Sequence, residues 1–164
     1  MDSLPPNVRE ELIKRHKAAA VTITGLVIAT VLLSIVAYLA RPYFRQQIDS
    51  SIDLAVRLVV FVLGAGSIVW RRTKFATMRL QDIGSLQGAL GVVKTMERTT
   101  IQVALLSVAV AASGFVATLM TGNPLYTYWS AVIAIVLLVY HYPRLATWNN
   151  AILKYAADLN PAVA

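Results

Sequence analysis

The chain has 164 residues, of which 57% are hydrophobic and only 14% charged, with a formal net charge of +7 and no cysteine. Soluble domains average roughly 45–50% apolar and about 25% charged, and here the apolar residues gather into runs long enough to cross a bilayer, so the composition predicts an integral membrane protein. The missing cysteines exclude disulfides, iron-sulfur clusters, thiolate zinc sites and cysteine nucleophiles together. The positive charge does not predict nucleic-acid binding, because no aromatic and basic residues interleave and no zinc-ligand spacing occurs.

Residues 1–17 form a polar N-terminal segment. Asn7 stands three residues before Glu10 in the arrangement of a capping box, which predicts a helix from about Val8. Glu10 with Lys14 and Glu11 with Arg15 fall at i,i+4, a spacing that supports the helix. Residues 18–40 carry no charge and would reach roughly 35 Å as a helix, enough for a tilted span. The run is too long for a signal peptide and lacks a small-x-small cleavage pattern after it, so a retained span is expected. Tyr38, Tyr43 and Phe44 mark its far interface.

A second, shorter span is expected over 54–70, completing a first transmembrane hairpin over 18–70. Asp53 and Arg57 sit one turn apart, which predicts an interfacial ion pair with Arg57 reaching outward; an anion site in a cavity is the alternative. Residues 71–99 hold Arg71, Arg72, Lys74, Arg79, Lys94 and Arg98 against only Asp82 and Glu97. Six of the fifteen Lys and Arg residues lie in this connecting segment, which places it on the cytoplasmic side of a membrane. Phe75, Met78, Leu86, Leu90 and Val93 share one side of a helical wheel, while Gly84, Gly88 and Gly91 lie close together, so an amphipathic helix that needs a packing neighbour is expected.

The second hairpin is predicted over 100–142, with spans at 101–121 and 125–142. The first of these carries a small-residue stripe of Ser107, Ala111, Gly114 and Thr118, the pattern that lets helices approach closely in lipid. The Thr121-Gly122-Asn123-Pro124 turn joins the two, and Tyr126, Tyr128, Trp129, Tyr140 and Tyr142 mark the interfaces. In residues 143–164, Leu145, Trp148, Ile152, Tyr155 and Leu159 recur at spacings of three or four, which predicts an amphipathic C-terminal helix for the headgroup region or a partner. The fold class expected is therefore all-α: an integral membrane four-helix bundle of two hairpins, each followed by a cytoplasmic amphipathic helix. The N-terminus, the middle segment and the C-terminus hold twelve of the fifteen basic residues, so both termini are expected in the cytoplasm of a bacterial plasma membrane, or on the equivalent side of an organellar inner membrane. Matches at an offset of 80, among them Leu26 with Leu106 and Ala37 with Ala117, together with the equal layout suggest an internal duplication.

Sites of chemistry are few. His16 and His141 are the only imidazoles, and in a bundle they could meet as haem or metal ligands; the commoner role for such residues is interfacial. The stretch from Gly88 to Thr95 lacks the glycine that precedes the lysine of a phosphate-binding loop and follows no strand. No nucleophile-elbow or HExxH pattern occurs. The spans carry no mid-membrane Asp, Glu or Lys, the residues that pumps and proton-coupled carriers keep there. The function expected is thus a non-catalytic membrane subunit that packs into a larger complex, of respiratory, photosynthetic or secretion type, with other membrane subunits and lipids as partners and no cofactor. Ser107, Ala111, Gly114, Thr118, Gly84, Gly88, Gly91, Trp148 and Ile152 would serve helix packing or the partner interface. The alternatives are a small homo-oligomeric channel or carrier, and a haem- or metal-binding enzyme built on His16 and His141.

Overall fold

The computed structural model describes residues 4–40 and 50–157. These are all-helical, with no strand among the described residues: α1 (Pro6–Ala40), α2 (Ser50–Lys74), α3 (Thr77–Thr121), α4 (Leu125–Tyr140) and α5 (Leu145–Ala157). Three helices are long and apolar enough to cross a membrane, or four if α4 and α5, which meet at a 45° bend, count as one. Tyr43, Phe44, Arg41, Arg45 and Leu159 lie outside the described residues.

Helix α1 begins at Pro6, where the Arg9 N–H donates to Pro5 O at 3.0 Å. Asn7 therefore lies inside the first turn and is not the cap, because a proline needs no amide partner there and its fixed φ is already helical. From this point α1 runs unbroken for 35 residues, about 52 Å, well beyond the roughly 30 Å of a hydrocarbon core.

Helix α3 differs most from expectation. The boundary near residue 99 does not exist as a helix end: the connecting segment and the third span are one element, Thr77–Thr121, interrupted only at Gly88 (φ 67°, ψ −172°). That conformation is essentially restricted to glycine. The short arm before Gly88 and the long rod after it are each regular helix. At its other end α3 stops on Gly122 (φ 72°), whose N–H donates to Thr118 O at 2.8 Å. A left-handed residue after the last turn, followed by Pro124, ends a helix and reverses the chain.

Every other helix packs on α3. Helix α4 has the most extensive contact with it, α2 and α1 flank it, and α5 crosses its arm; α1 and α2 make no comparable contact with each other. The two helix pairs thus differ, since α3 and α4 pack tightly as a hairpin while α1 and α2 are held apart, and the equal layout expected of a duplication is not seen in the packing.

The interior falls into an apolar region and a basic end. In the apolar region Val110, Ala111, Ala134 and Leu137 form one cluster, and Ile23, Ala104 and Leu138 another. At the basic end Val8 and Leu12 of α1, Val92 and Met96 of α3, and Trp148 and Ile152 of α5 form a separate core. Polar side chains within the apolar runs bond their own backbone: Thr22 to Ala18 O, Thr24 to Ala20 O and Thr30 to Leu26 O, each at 2.9 Å, and Ser107 to Val103 O at 2.9 Å. A hydroxyl satisfied this way can sit in an apolar setting without an orphaned donor.

Helix α4 ends at Tyr140 and not at 142. His141 N–H closes the last turn onto Leu137 O at 2.9 Å, and Pro143 cannot continue the ladder. At 16 residues, about 24 Å, α4 alone is shorter than a typical span.

Gly88→Ala is expected to lower the stability of the detergent-solubilised protein by about 1–3 kcal/mol, the usual cost of forcing a side chain into a sparsely populated backbone region. Thermal unfolding followed by circular dichroism measures it, and an unchanged midpoint would show that the arm does not need this break.

Candidate functional site

The small-residue stripe is the seam between α3 and α4. Ser107, Ala111, Gly114 and Thr118 are all buried. A Cβ on Gly114 would collide with Ser130 Oγ and with the Tyr126 carbonyl oxygen, so the absence of a side chain sets the separation of the two helices. Thr118 locks the end of the seam: its hydroxyl donates to Asn123 O at 3.0 Å, accepts from Thr127 N–H at 3.2 Å and lies 2.7 Å from the Thr127 hydroxyl. These residues are occupied within the chain, as helix-packing positions.

The glycines of the connecting segment divide by role. Gly84 and Gly91 are buried, Gly91 beneath the Gln87 side chain, and Gly88 is the backbone break. Trp148 and Ile152, 3% and 1% exposed, face the core of the basic end. Leu86, by contrast, is 83% exposed on the arm of α3.

Asp53 and Arg57 form the expected pair, with Arg57 Nη2 2.8 Å from Asp53 Oδ2 and the Arg57 side chain 77% exposed. Both residues line a cavity of about 440 Å³ together with Asn123, Tyr126, Trp129 and Ser130 of the α3–α4 hairpin, so the pair and the cavity of the alternative reading occur at one place. Such an exposed pair contributes little to stability.

The two histidines lie at the basic end and have separate partners. His16 Nε2 is 3.1 Å from Pro143 O, and its ring stands edge-on to Trp148 at 5.6 Å. His141 is buried directly beyond α4. Arg71 Nη1 donates to the Tyr140 carbonyl at 2.6 Å and to His141 Nδ1 at 3.1 Å, and Ser67 Oγ lies 3.4 Å from His141 Nε2. An imidazole that accepts at Nδ1 is the neutral tautomer with its proton on Nε2. The grouping of Ser67 and His141 is not a nucleophile with its base. A carboxylate at Nδ1 would stabilise the imidazolium that forms during catalysis, whereas a guanidinium there opposes it. The Ser67 hydroxyl also donates to Gly64 O at 2.8 Å. Among the described residues no three His, Cys, Asp or Glu side chains converge as a metal site.

A second charged cluster ties α1 to α3 outside the apolar runs. Arg15 donates from Nε to Glu11 Oε1 at 2.7 Å and from Nη1 to Glu97 Oε2 at 2.5 Å. The Glu97 hydrogen bond, opposed by burial and helped by Glu11, raises the guanidinium above its ordinary pKa. The Glu11 contact is legible from the i,i+4 spacing. Arg71, Ser67, Thr127 and the Glu97 contact are not, because each depends on which helices are neighbours and at what height. The only local signal for Arg71 is its place as the first charged residue after a span, flanked by Trp70 and Phe75.

Neither a protein-family model, a curated protein nor a solved structure matches this chain, so its function is argued from its own residues.

Thr118→Val keeps the shape of the seam but leaves the Thr127 amide and the Asn123 carbonyl without their partner. A loss of about 1–3 kcal/mol is expected, the usual cost of an orphaned buried polar group. Denaturant titration reads it, and a variant as stable as the parent would show that these groups find other partners.

Proposed function

We propose that the chain is a multi-pass membrane protein in which α1, α2, α3 and α4 form a four-helix bundle of two hairpins with α5 an amphipathic helix at the cytoplasmic end, and that it serves as a non-catalytic subunit of a larger membrane complex. The basic end, with both termini, faces the cytoplasm, since Lys and Arg are retained on that side. A bacterial plasma membrane is the setting that suits this orientation.

The observation that carries the reading is the contrast between the two regions. Residues 18–40, 58–70, 101–121 and 125–140 hold no Asp, Glu, Lys, Arg or His, and their hydroxyls bond helix backbone. Such an interior suits the packing of a bundle and carries none of the charged side chains that pumps and proton-coupled carriers keep at mid-membrane. The basic end, in contrast, is a second folded body with its own core, and it presents Leu86 outside the apolar region. We take Leu86 as the candidate point of contact with a protein neighbour.

Gentle solubilisation of a tagged chain tests the proposal. One or more defined chains should co-purify, and tagging such a chain should recover this protein in return. Leu86→Glu should reduce that recovery several-fold with helicity unchanged, while Arg57→Ala should leave it intact. A lone monomer, together with anion flux in liposomes that is lost on Arg57→Ala, would overturn the proposal in favour of a carrier.

A further inference from the structure

At the basic end, between the ends of α2 and α4 and the start of α5, lies a cavity of about 530 Å³ lined by Arg71, Arg144, Thr100, Thr147, Phe75 and Trp148, among others. We infer that it binds a phosphate group, carried on the headgroup of an anionic membrane lipid. The inference rests on the membrane reading above and adds a ligand and a site to it.

The first argument is charge. Among the described residues no Asp or Glu lines the cavity. The hydrogen bonds of Arg71 to Tyr140 O and to His141 Nδ1 both leave from Nη1. Nε and Nη2 therefore remain to make the two parallel hydrogen bonds by which a guanidinium holds a phosphate. Those same bonds hold the guanidinium at the cavity wall, within 5.1 Å of the Tyr140 ring centroid and 5.9 Å of that of Phe75. A guanidinium stacked on rings loses little freedom on binding, which is why planar recognition favours Arg over Lys. Arg144, exposed and lining the same cavity, brings a second cation.

The second argument is the local backbone and hydroxyl chemistry. Helix α5 starts at Leu145 with no acidic residue in its first turn, so the positive end of its dipole is not neutralised by its own side chains and adds to the field of the two arginines. Thr100 and Thr147 supply hydroxyls at the wall. The third argument is depth. Trp70, Tyr140 and Tyr142 are exposed at this level, and Lys74 Nζ sits 4.9 Å from the Trp70 ring centroid. Aromatic and basic residues in one belt mark headgroup height, where basic pockets between helices take lipid phosphates. The site thus lies at the height of the phosphodiesters in the cytoplasmic leaflet, which favours a lipid source over a free ion.

The test is native mass spectrometry of the purified protein after exchange into mixed micelles of phosphatidylglycerol and phosphatidylcholine. The parent should retain phosphatidylglycerol in preference to phosphatidylcholine. Arg71→Gln and Arg144→Gln should each weaken that retention roughly tenfold, the scale of one lost charged hydrogen bond, while Arg98→Gln, an equal charge change outside the cavity, should not. Arg144 is exposed, so its variant tests the site even if Arg71→Gln fails to fold. Equal retention of the two lipids, or retention untouched by Arg144→Gln, would overturn the proposal. Inorganic phosphate alone should not displace the lipid; displacement at micromolar phosphate would overturn the lipid assignment and leave a site for the soluble ion. Flotation with phosphatidylcholine vesicles tests the membrane reading separately: a protein that floats yet shows no lipid preference defeats only the site, whereas one that does not float defeats the membrane reading itself.

Discussion

The close approach of α3 to α4 is the contact on which the rest of the molecule depends. At Gly114 the two helices are so near that a single methyl group would overlap Ser130 and the Tyr126 backbone. Dispersion falls steeply with separation, so removing side chains from this face lets two apolar helices attract each other even where no water is present to drive them together. With α4 fixed, α3 becomes a central rod, and α1 and α2 pack against it from separate positions with little contact between them. The stripe of small residues is thus consumed by the fold.

A second constraint follows from the length of the rod. Helix α3 continues past the apolar region, as does α1, and neither could stand alone there with one apolar face exposed. The two extensions and α5 meet around Leu12, Val92, Met96, Trp148 and Ile152. Arg15 joins the first two through Glu97, and His16 joins α1 to the α4–α5 bend through Pro143 O. Gly88 lets the chain leave the rod and return to the end of α2. The basic end is therefore not a loop on a membrane surface but a small folded body rigidly continuous with the helices below it, able to hold Arg71 and Arg144 around one cavity.

The polar groups are divided by height. Within the apolar runs the Thr and Ser hydroxyls described above return to backbone, at the seam they bond across the hairpin, and charged side chains lie at the two ends, Arg57 paired with Asp53 at one and Arg71 and Arg144 around a cavity at the other.

Much of this was legible in the chain itself. The apolar runs, the helical class, the Gly122–Pro124 reversal, the Glu11–Arg15 and Asp53–Arg57 pairs and the close-packing stripe all follow from residues within a few positions of one another, where periodicity and sterics act locally. Helix ends were less legible, since Thr99 and Thr100 offer no stop signal and the only break in α3 is a glycine whose backbone angles no spacing can reveal. What tertiary structure alone decided was neighbourhood: that α3 is central, that α1 and α2 stand apart, that Trp148 and Ile152 turn inward, and that Arg71, at the end of one helix, meets His141 at the end of another 70 residues away. Those placements depend on the relative heights and rotations of packed helices, which are set by the sum of many weak contacts and carry no signature in any one segment.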